Sequence, residues 1–244
     1  MDVDGTRIEM SGLNGGSHNS LGYSLRRFFI DDFYSRHVTR LQVGSQVLDL
    51  GGHKIRKRGA FDIERYCLRV TYANLLLNKG PDVQCDATWL PCKEGCFDAV
   101  VCSELLEHVY DSASVLREIY RVLRPKGVCL ISVPFLFQVH ADPHDYCRYT
   151  DHYWRTQLEK LGFAEITIEK QGLFWSVMVD MLRALANERV RQGGLRGLWL
   201  RRLVASLIGT GKRMALHRER RIGEPDYAFL SRYTTGYGIR AVRP

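Results

Sequence analysis

The chain has 244 residues, 45% hydrophobic and 25% charged, which suits one soluble domain with a full core. A formal net charge of +8 at pH 7 favours anionic partners such as nucleic acid, phosphorylated metabolites or an anionic membrane face. Seven cysteines without a C-x-x-C pair argue against a disulfide framework or a zinc site and for reduced thiols.

Taken in chain order, MDVDGTRIEMSGLNGG lacks the apolar core of a signal peptide, and no apolar run is long enough to span a bilayer. A cytoplasmic location is therefore expected, with residues 1–20 flexible. Apolar residues at helical spacing from Leu21 to Leu41 predict an amphipathic helix. Short β-branched runs follow at 46–50, 68–75, 82–85, 97–103 and 127–135, as strands buried on both faces of a parallel sheet require.

Between the last two runs, Val115, Ile119, Val122 and Leu123 mark a helix, capped by Asp111 or Ser112 and stopped by Pro125 and Gly127. A helix over Asp151–Leu161, a strand over Ala164–Lys170, a long helical stretch over Leu173–Arg221 and a closing strand within Tyr233–Val242 complete the pattern. The alternation of strand and helix predicts an open α/β sheet with right-handed crossovers. Residues 21–244 read as a single domain, with 172–226 as a helical insertion before the last strand.

In such a sheet, ligands bind beyond the carboxyl ends of the strands. Four polar clusters fall there. VLDLGG brings Asp49, Gly51 and Gly52, where glycine lets a ligand approach the backbone closely. CDATWLP brings Asp86, CSELLEHV brings Ser103, Glu104, Glu107 and His108, and VHADPHDYCRY brings His140, Asp142, His144, Asp145, Tyr146 and Arg148. Each cluster alone is a turn or cap as readily as a site, but four at one sheet edge exceed what solvated loops explain.

VLDLGG, followed by DATWLPCKEGCFDAVVCSELLEHVYDSASVLREIYRVLRPKGVCLISVPF, resembles the class I S-adenosylmethionine-dependent methyltransferases. The likeness covers about 45–170, and TTGYGIRAVRP resembles the family's last strand. The family implies a Rossmann-like seven-stranded sheet, mostly parallel with the last strand antiparallel and helices on both faces. It also implies S-adenosyl-L-methionine as cofactor, with transfer of its methyl to a nucleophile. By the same resemblance Asp49, Gly51 and Gly52 line the methionine part, Asp86 and Ala87 meet the adenine, and Ser103, Glu104 and Leu105 lie below the sulfonium. Asn74 stands near where the family has an acid for the ribose hydroxyls and is expected to bond one of them, and His53 stands where a third glycine is common.

The glycine pair is followed by Lys54, Arg56, Lys57 and Arg58. A sulfonium methyl would not tolerate them nearby, since two like charges ~4 Å apart repel by ~4 kcal/mol at an effective dielectric of 20. The basic side chains can instead face the cofactor's carboxylate or a phosphate on the substrate, and Arg56 and Arg58 are assigned to the substrate, against the alternative of a solvated charged loop. Asp145, Tyr146 and Arg148 are assigned to the acceptor as well. His108, His140 and His144 are the candidate bases for a hydroxyl acceptor near neutral pH. Glu104, Glu107 and His108 also form a carboxylate–imidazole set, but spacing cannot fix coordination geometry and no metal is assigned.

HADPHDYCRY resembles a segment in bacterial and archaeal methyltransferases found with glycan-assembly genes. The expected function is methyl transfer to a small-molecule or glycan-like acceptor, phosphorylated or lipid-linked forms included. The rival readings are an RNA ribose methyltransferase, with nucleic acid the less favoured partner, and a non-catalytic methyltransferase-like scaffold. The basic amphipathic stretch 195–221 leaves open a peripheral membrane contact, packing on its own domain, or a homodimer.

Overall fold

The computed structural model describes residues 21–55, 57–140, 144–194, 197–224 and 226–244. Arg56, Asp142 and the N-terminal segment 1–20, for which flexibility was expected, lie outside these residues. The chain forms two compact units. One comprises residues 30–171 and 236–244, the other residues up to 29 together with 172–235.

The larger unit holds a seven-stranded sheet. In chain order the strands are β1 (Gln46–Leu50), β2 (Arg69–Asn74), β3 (Val83–Gln84), β4 (Phe97–Ser103), β5 (Leu123–Pro134), β6 (Ala164–Lys170) and β7 (Gly236–Val242). Their spatial order is β3-β2-β1-β4-β5-β7-β6. The first five pair in parallel, and β7 runs antiparallel to both its neighbours. This is the expected mostly parallel sheet with an antiparallel last strand. The order reverses at β1 and β4, so the crevice of an open α/β sheet opens at their carboxyl ends.

Strand periodicity explains the core. Leu48, Leu50, Val100, Cys102, Cys129 and Ile131 point to one face, where they meet Val115, Leu116 and Ile119 of α2 (Ser112–Val122) and Trp154 and Leu158 of α3 (Asp151–Lys160). Their neighbours Val47, Ala99, Val101 and Leu130 point to the other, against Ile30, Phe33, Tyr34 and Val38 of α1 (Leu25–Val38). Both faces are covered, so the strands read as continuous apolar runs.

Local signals place most boundaries. Asp111 caps α2 by accepting from the Ser114 N–H at 3.0 Å. The helix ends at Val122, and Leu123, expected as a helical residue, is the first residue of β5, opposite Phe97. Pairing with Phe97 draws Leu123 into the strand, and Pro125 drives Arg124, the residue before it, out of the helical region, so the helix has no continuation. The long helical stretch expected from Leu173 to Arg221 is two helices, α4 (Phe174–Arg191) and α5 (Leu198–Glu219). They are broken where Gly193 and Gly197 adopt φ of +73° and +103°. A short α6 (Asp226–Leu230) follows.

The smaller unit is helical. Asp180 of α4 accepts the Leu25 and Arg26 N–H groups, each at 2.8 Å, and Leu25, Phe28 and Phe29 pack with Ala215 and Leu216 of α5. Among the described residues, no helix is long and apolar enough to cross a membrane.

Candidate active site

The turn after β1 is shaped by two glycines for different reasons. Gly51 sits at φ +80°, a conformation that costs other residues strain, and donates to the Ala73 carbonyl of β2 at 2.8 Å. Gly52 has ordinary backbone, but a Cβ there would fall 2.2 Å from the Asp49 carboxyl. No side chain fits, and the Asp49 carboxyl occupies the space that one would take.

Asp49, the last residue but one of β1, is partly buried, and desolvation raises its pKa to about 7 against the lowering effect of Lys57. A carboxyl held in this way at a ligand edge is stabilised as the anion by a cationic ligand group. Leu105, opposite, lies against Gly51, whose Cβ would come within 3.0 Å of it. The turn after β1 and the end of β4 therefore form two walls of one crevice.

Behind these walls is a hydrogen-bonded shelf. The Tyr34 hydroxyl donates to the Cys102 carbonyl at 3.0 Å and reaches Ser132 Oγ at 3.2 Å, and Ser132 Oγ lies 3.2 Å from Ser103 Oγ. Burial pushes the Tyr34 phenol well above its usual range, so it stays a neutral donor. Glu104 adopts φ +50° and donates its N–H to the Ser132 carbonyl. This reversal turns the chain at the end of β4. Neither Tyr34 nor Ser132 was legible as a site residue, since an apolar helix and an apolar strand are their sequence settings.

Asn74 is a turn-holding residue. Its amide NH2 donates to the Gly51 and Gly52 carbonyls at 2.9 and 3.0 Å, and its side-chain oxygen accepts the Leu76 N–H at 2.9 Å. Both ends of the amide are engaged with backbone. Asp86, at the end of β3, accepts from the Thr88 N–H and hydroxyl at 2.8 Å, and Ala87 packs on the core. Near these residues Leu75, Leu77 and Trp89 are 58%, 67% and 73% exposed, an apolar rim that Asp86 alone did not reveal.

The basic loop is partly tied to the protein's own acids. Lys54 pairs with Asp82, and Lys57 pairs with Asp62 at 2.6 Å and Glu64 at 3.0 Å. Both ammonium groups lie over the Tyr72 ring. Arg58 is exposed. For the two lysines, the solvated charged loop describes the arrangement better than an anion cradle does.

The segments after β4 and β5 converge. His108 Nδ1 lies 2.6 Å from the His144 carbonyl, and His140 Nδ1 lies 3.2 Å from the Gln138 carbonyl. A carbonyl only accepts, so in each neutral ring Nδ1 carries the hydrogen and Nε2 keeps its lone pair. The two rings meet edge to face with centroids 5.0 Å apart. Glu107 is 1% exposed, with Oε1 3.7 Å from His108 Nε2. Ligand atoms of Glu107, His108 and His140 lie within 4.8 Å of one another, a donor set that suits proton transfer or a divalent cation.

Asp145 and Arg148, expected at the acceptor, form a bidentate pair with each other, and Asp145 also accepts the His140 N–H at 2.9 Å. Burial alone would raise the Asp145 carboxyl, but Arg148 and that N–H hold it below its usual value. The pair fixes the His140 loop. Tyr146 is 49% exposed and edge-on to Tyr110, which is 85% exposed. His144 is exposed with its ring 5.6 Å from Tyr146.

Residues 30–131 match the family model described as a methyltransferase domain. The chain is 36% identical over 121 residues to a demethylmenaquinone methyltransferase of Mycolicibacterium paratuberculosis, a match covering 42% of this chain and 50% of that protein. It is 35% identical over 109 residues to a ubiquinone biosynthesis O-methyltransferase of Chromobacterium violaceum, covering 39% and 46%. These matches span half or less of the relatives' length. A SAM-dependent methyltransferase from Archaeoglobus fulgidus shares the fold at 14% identity, TM-score 0.54, with 88% of this chain and 94% of that one covered.

Proposed function

With residues 30–131 matching a methyltransferase domain, we propose that the chain is a class I methyltransferase that binds S-adenosylmethionine at the carboxyl ends of β1 to β4. We further propose that it methylates a hydroxyl group on a small-molecule or glycan-like acceptor. The observation that carries this reading is the turn after β1, where Gly52 leaves no room for a Cβ and Asp49 presents a carboxyl of raised pKa. A desolvated carboxyl gains most from a cationic partner, and an α-ammonium is one. When bound, S-adenosylmethionine supplies an electrophilic methyl on sulfur.

The protein's own groups do the rest. Gly51 and Gly52 bring backbone to the ligand, Asp49 holds its amino-acid end, and Leu105 with Ser103 and Glu104 forms the wall at the end of β4. The apolar rim of Leu75, Leu77 and Trp89 suits a planar base, with the polar group at Asp86 beside it. His108 and His140 present Nε2 lone pairs that can take the acceptor's proton, the Asp145–Arg148 pair positions the second of them, and Tyr110 with Tyr146 offers a flat surface to a ring. The relatives' names, demethylmenaquinone methyltransferase and ubiquinone biosynthesis O-methyltransferase, support hydroxylated rings as acceptors to try alongside sugars.

The test has two stages. Calorimetric titration with S-adenosylmethionine and S-adenosylhomocysteine should show saturable binding that Asp49→Ala removes; absence of binding at millimolar ligand would refute the reading. Incubation with labelled cofactor and a panel of catechols, quinols and hydroxylated glycans should then move label to one class. Transfer only to amines would overturn the hydroxyl assignment.

A further inference from the structure

We propose that the helical unit formed by α4 and α5 docks on an anionic lipid bilayer surface, lying in the interface without spanning it. The first ground is charge. Residues 172–235 carry twelve Lys and Arg against five Asp and Glu, which is seven of the chain's eight net positive charges. Two of the five acids, Asp180 and Glu219, are turned inward, while Glu224 and Asp226 are exposed and Glu188 pairs with Arg191 at the surface. Asp180 takes two backbone N–H groups and faces Arg183, and Glu219 takes the Leu173 and Ser176 N–H groups and the Ser176 hydroxyl. Of the described cations in this segment, only Arg183 and Lys212 are buried, so the positive charge faces solvent.

The second ground is the apolar surface on the same helices. On α5, Trp199, Leu203, Leu207 and Met214 are 70%, 47%, 63% and 55% exposed. At 100° per residue they fall within about 80° of the helix circumference, with Arg202 and Arg213 along the adjoining strip. The opposite side of α5 carries the buried Lys212, Ala215 and Leu216. On α4, Met181, Leu182 and Leu185 are each more than half exposed, at the i, i+1 and i+4 spacing that shares a face.

A helix with its inner face packed, an outer stripe of Trp, Leu and Met, and arginines beside that stripe has the make-up of an interfacial helix. The apolar stripe selects a bilayer over RNA, which would use the cations and leave Leu203 and Leu207 without a role. The net charge selects a bilayer over a second copy of this chain, because two faces that carry most of a +8 charge repel.

Vesicle co-sedimentation tests this without cofactor or acceptor, so its outcome does not depend on methyl transfer. The 244-residue chain is mixed with phosphatidylcholine vesicles that contain or lack phosphatidylglycerol. Retention is expected on the anionic vesicles alone. Arg202→Gln with Arg213→Gln should weaken it about thirtyfold at low salt, on the basis of two cations near an anionic surface. Trp199→Ser with Leu203→Ser and Leu207→Ser should weaken it about a hundredfold, from three side chains withdrawn from partial burial in lipid.

All five positions are exposed, and unchanged melting temperatures confirm that both variants fold. No retention of the wild type overturns the proposal, as does retention that the serine variant leaves intact. A wild-type dimer that the serine variant converts to monomer, without vesicle retention, assigns the face to a second copy instead.

Discussion

Asp49→Asn separates the energetic cost of the site from its function. The Asp49 carboxyl moves from 3.8 to about 7 on folding because burial disfavours its charge. Below the lower value both states are protonated and the group contributes nothing. Between the two values the unfolded chain ionises while the folded one keeps its proton, so stability falls as pH rises. Above about 7 the full cost is present, with a ceiling of roughly 4 kcal/mol at 1.36 kcal/mol per unit. Asp49 keeps partial exposure, so about half of that, roughly 2 kcal/mol, is the realistic figure.

Asparagine has nearly the same shape and cannot ionise. Thermal unfolding should therefore show Asp49→Asn melting about 4 to 8 °C above wild type near pH 8.5 and level with it near pH 4. S-adenosylmethionine should raise the wild-type melting temperature and leave that of the variant unmoved. A variant less stable than wild type at both pH values, or one that still responds to ligand, would refute the argument that this carboxyl is held at a cost for a cationic partner.

Other outcomes follow from the same geometry. Gly52→Ala drives a methyl into the Asp49 carboxyl and should lower stability by about 1–3 kcal/mol while removing cofactor binding, measured by melting and titration. Asn74→Asp, which installs the acid common in the family, should not tighten cofactor binding. It sets a carboxylate against the two glycine carbonyls that Asn74 now bonds and should cost about 1–3 kcal/mol. His108→Asn and His140→Asn should each slow transfer to a hydroxyl acceptor, together by about 10²-fold or more, with the deficit shrinking at high pH as the acceptor ionises unaided. Zinc should inhibit by occupying Glu107, His108 and His140, reversibly with chelator, and Glu107→Gln should raise the inhibitory concentration about 10- to 100-fold.

Much of the architecture was legible because parallel strands buried on both faces leave continuous apolar runs, and because the glycine pair and the polar segments after β3, β4 and β5 mark strand ends. Helix α1 and strands β1, β4 and β6 fall where period and punctuation put them. The helical stretch expected over Leu173–Arg221 is helical but divided in two, since Gly193 and Gly197 break it through backbone conformation that a periodic apolar pattern does not register. The helical run into Leu123 gave way to a strand for a comparable reason, as tertiary pairing with Phe97 and the restraint of Pro125 outweighed side-chain spacing.

The partners of charged and polar side chains belonged to the tertiary structure. Lys54 finds Asp82, Lys57 finds Asp62 and Glu64, and Asn74 reaches back to Gly51 and Gly52. A sequence states which charges exist, whereas which of them meet is a matter of distance and of water removed. By itself the sequence determined the fold class, the sheet edge that bears the candidate site and the glycine turn at that edge, because these follow from local period and backbone freedom. Only the fold decided that Asp49 is desolvated beside Gly52, that His108 and His140 face each other, and that Asp145 and Arg148 serve the loop. The meeting of His108 and His140 brings together the segments after β4 and β5, and the other two depend on solvent excluded around a turn and a loop by the rest of the fold.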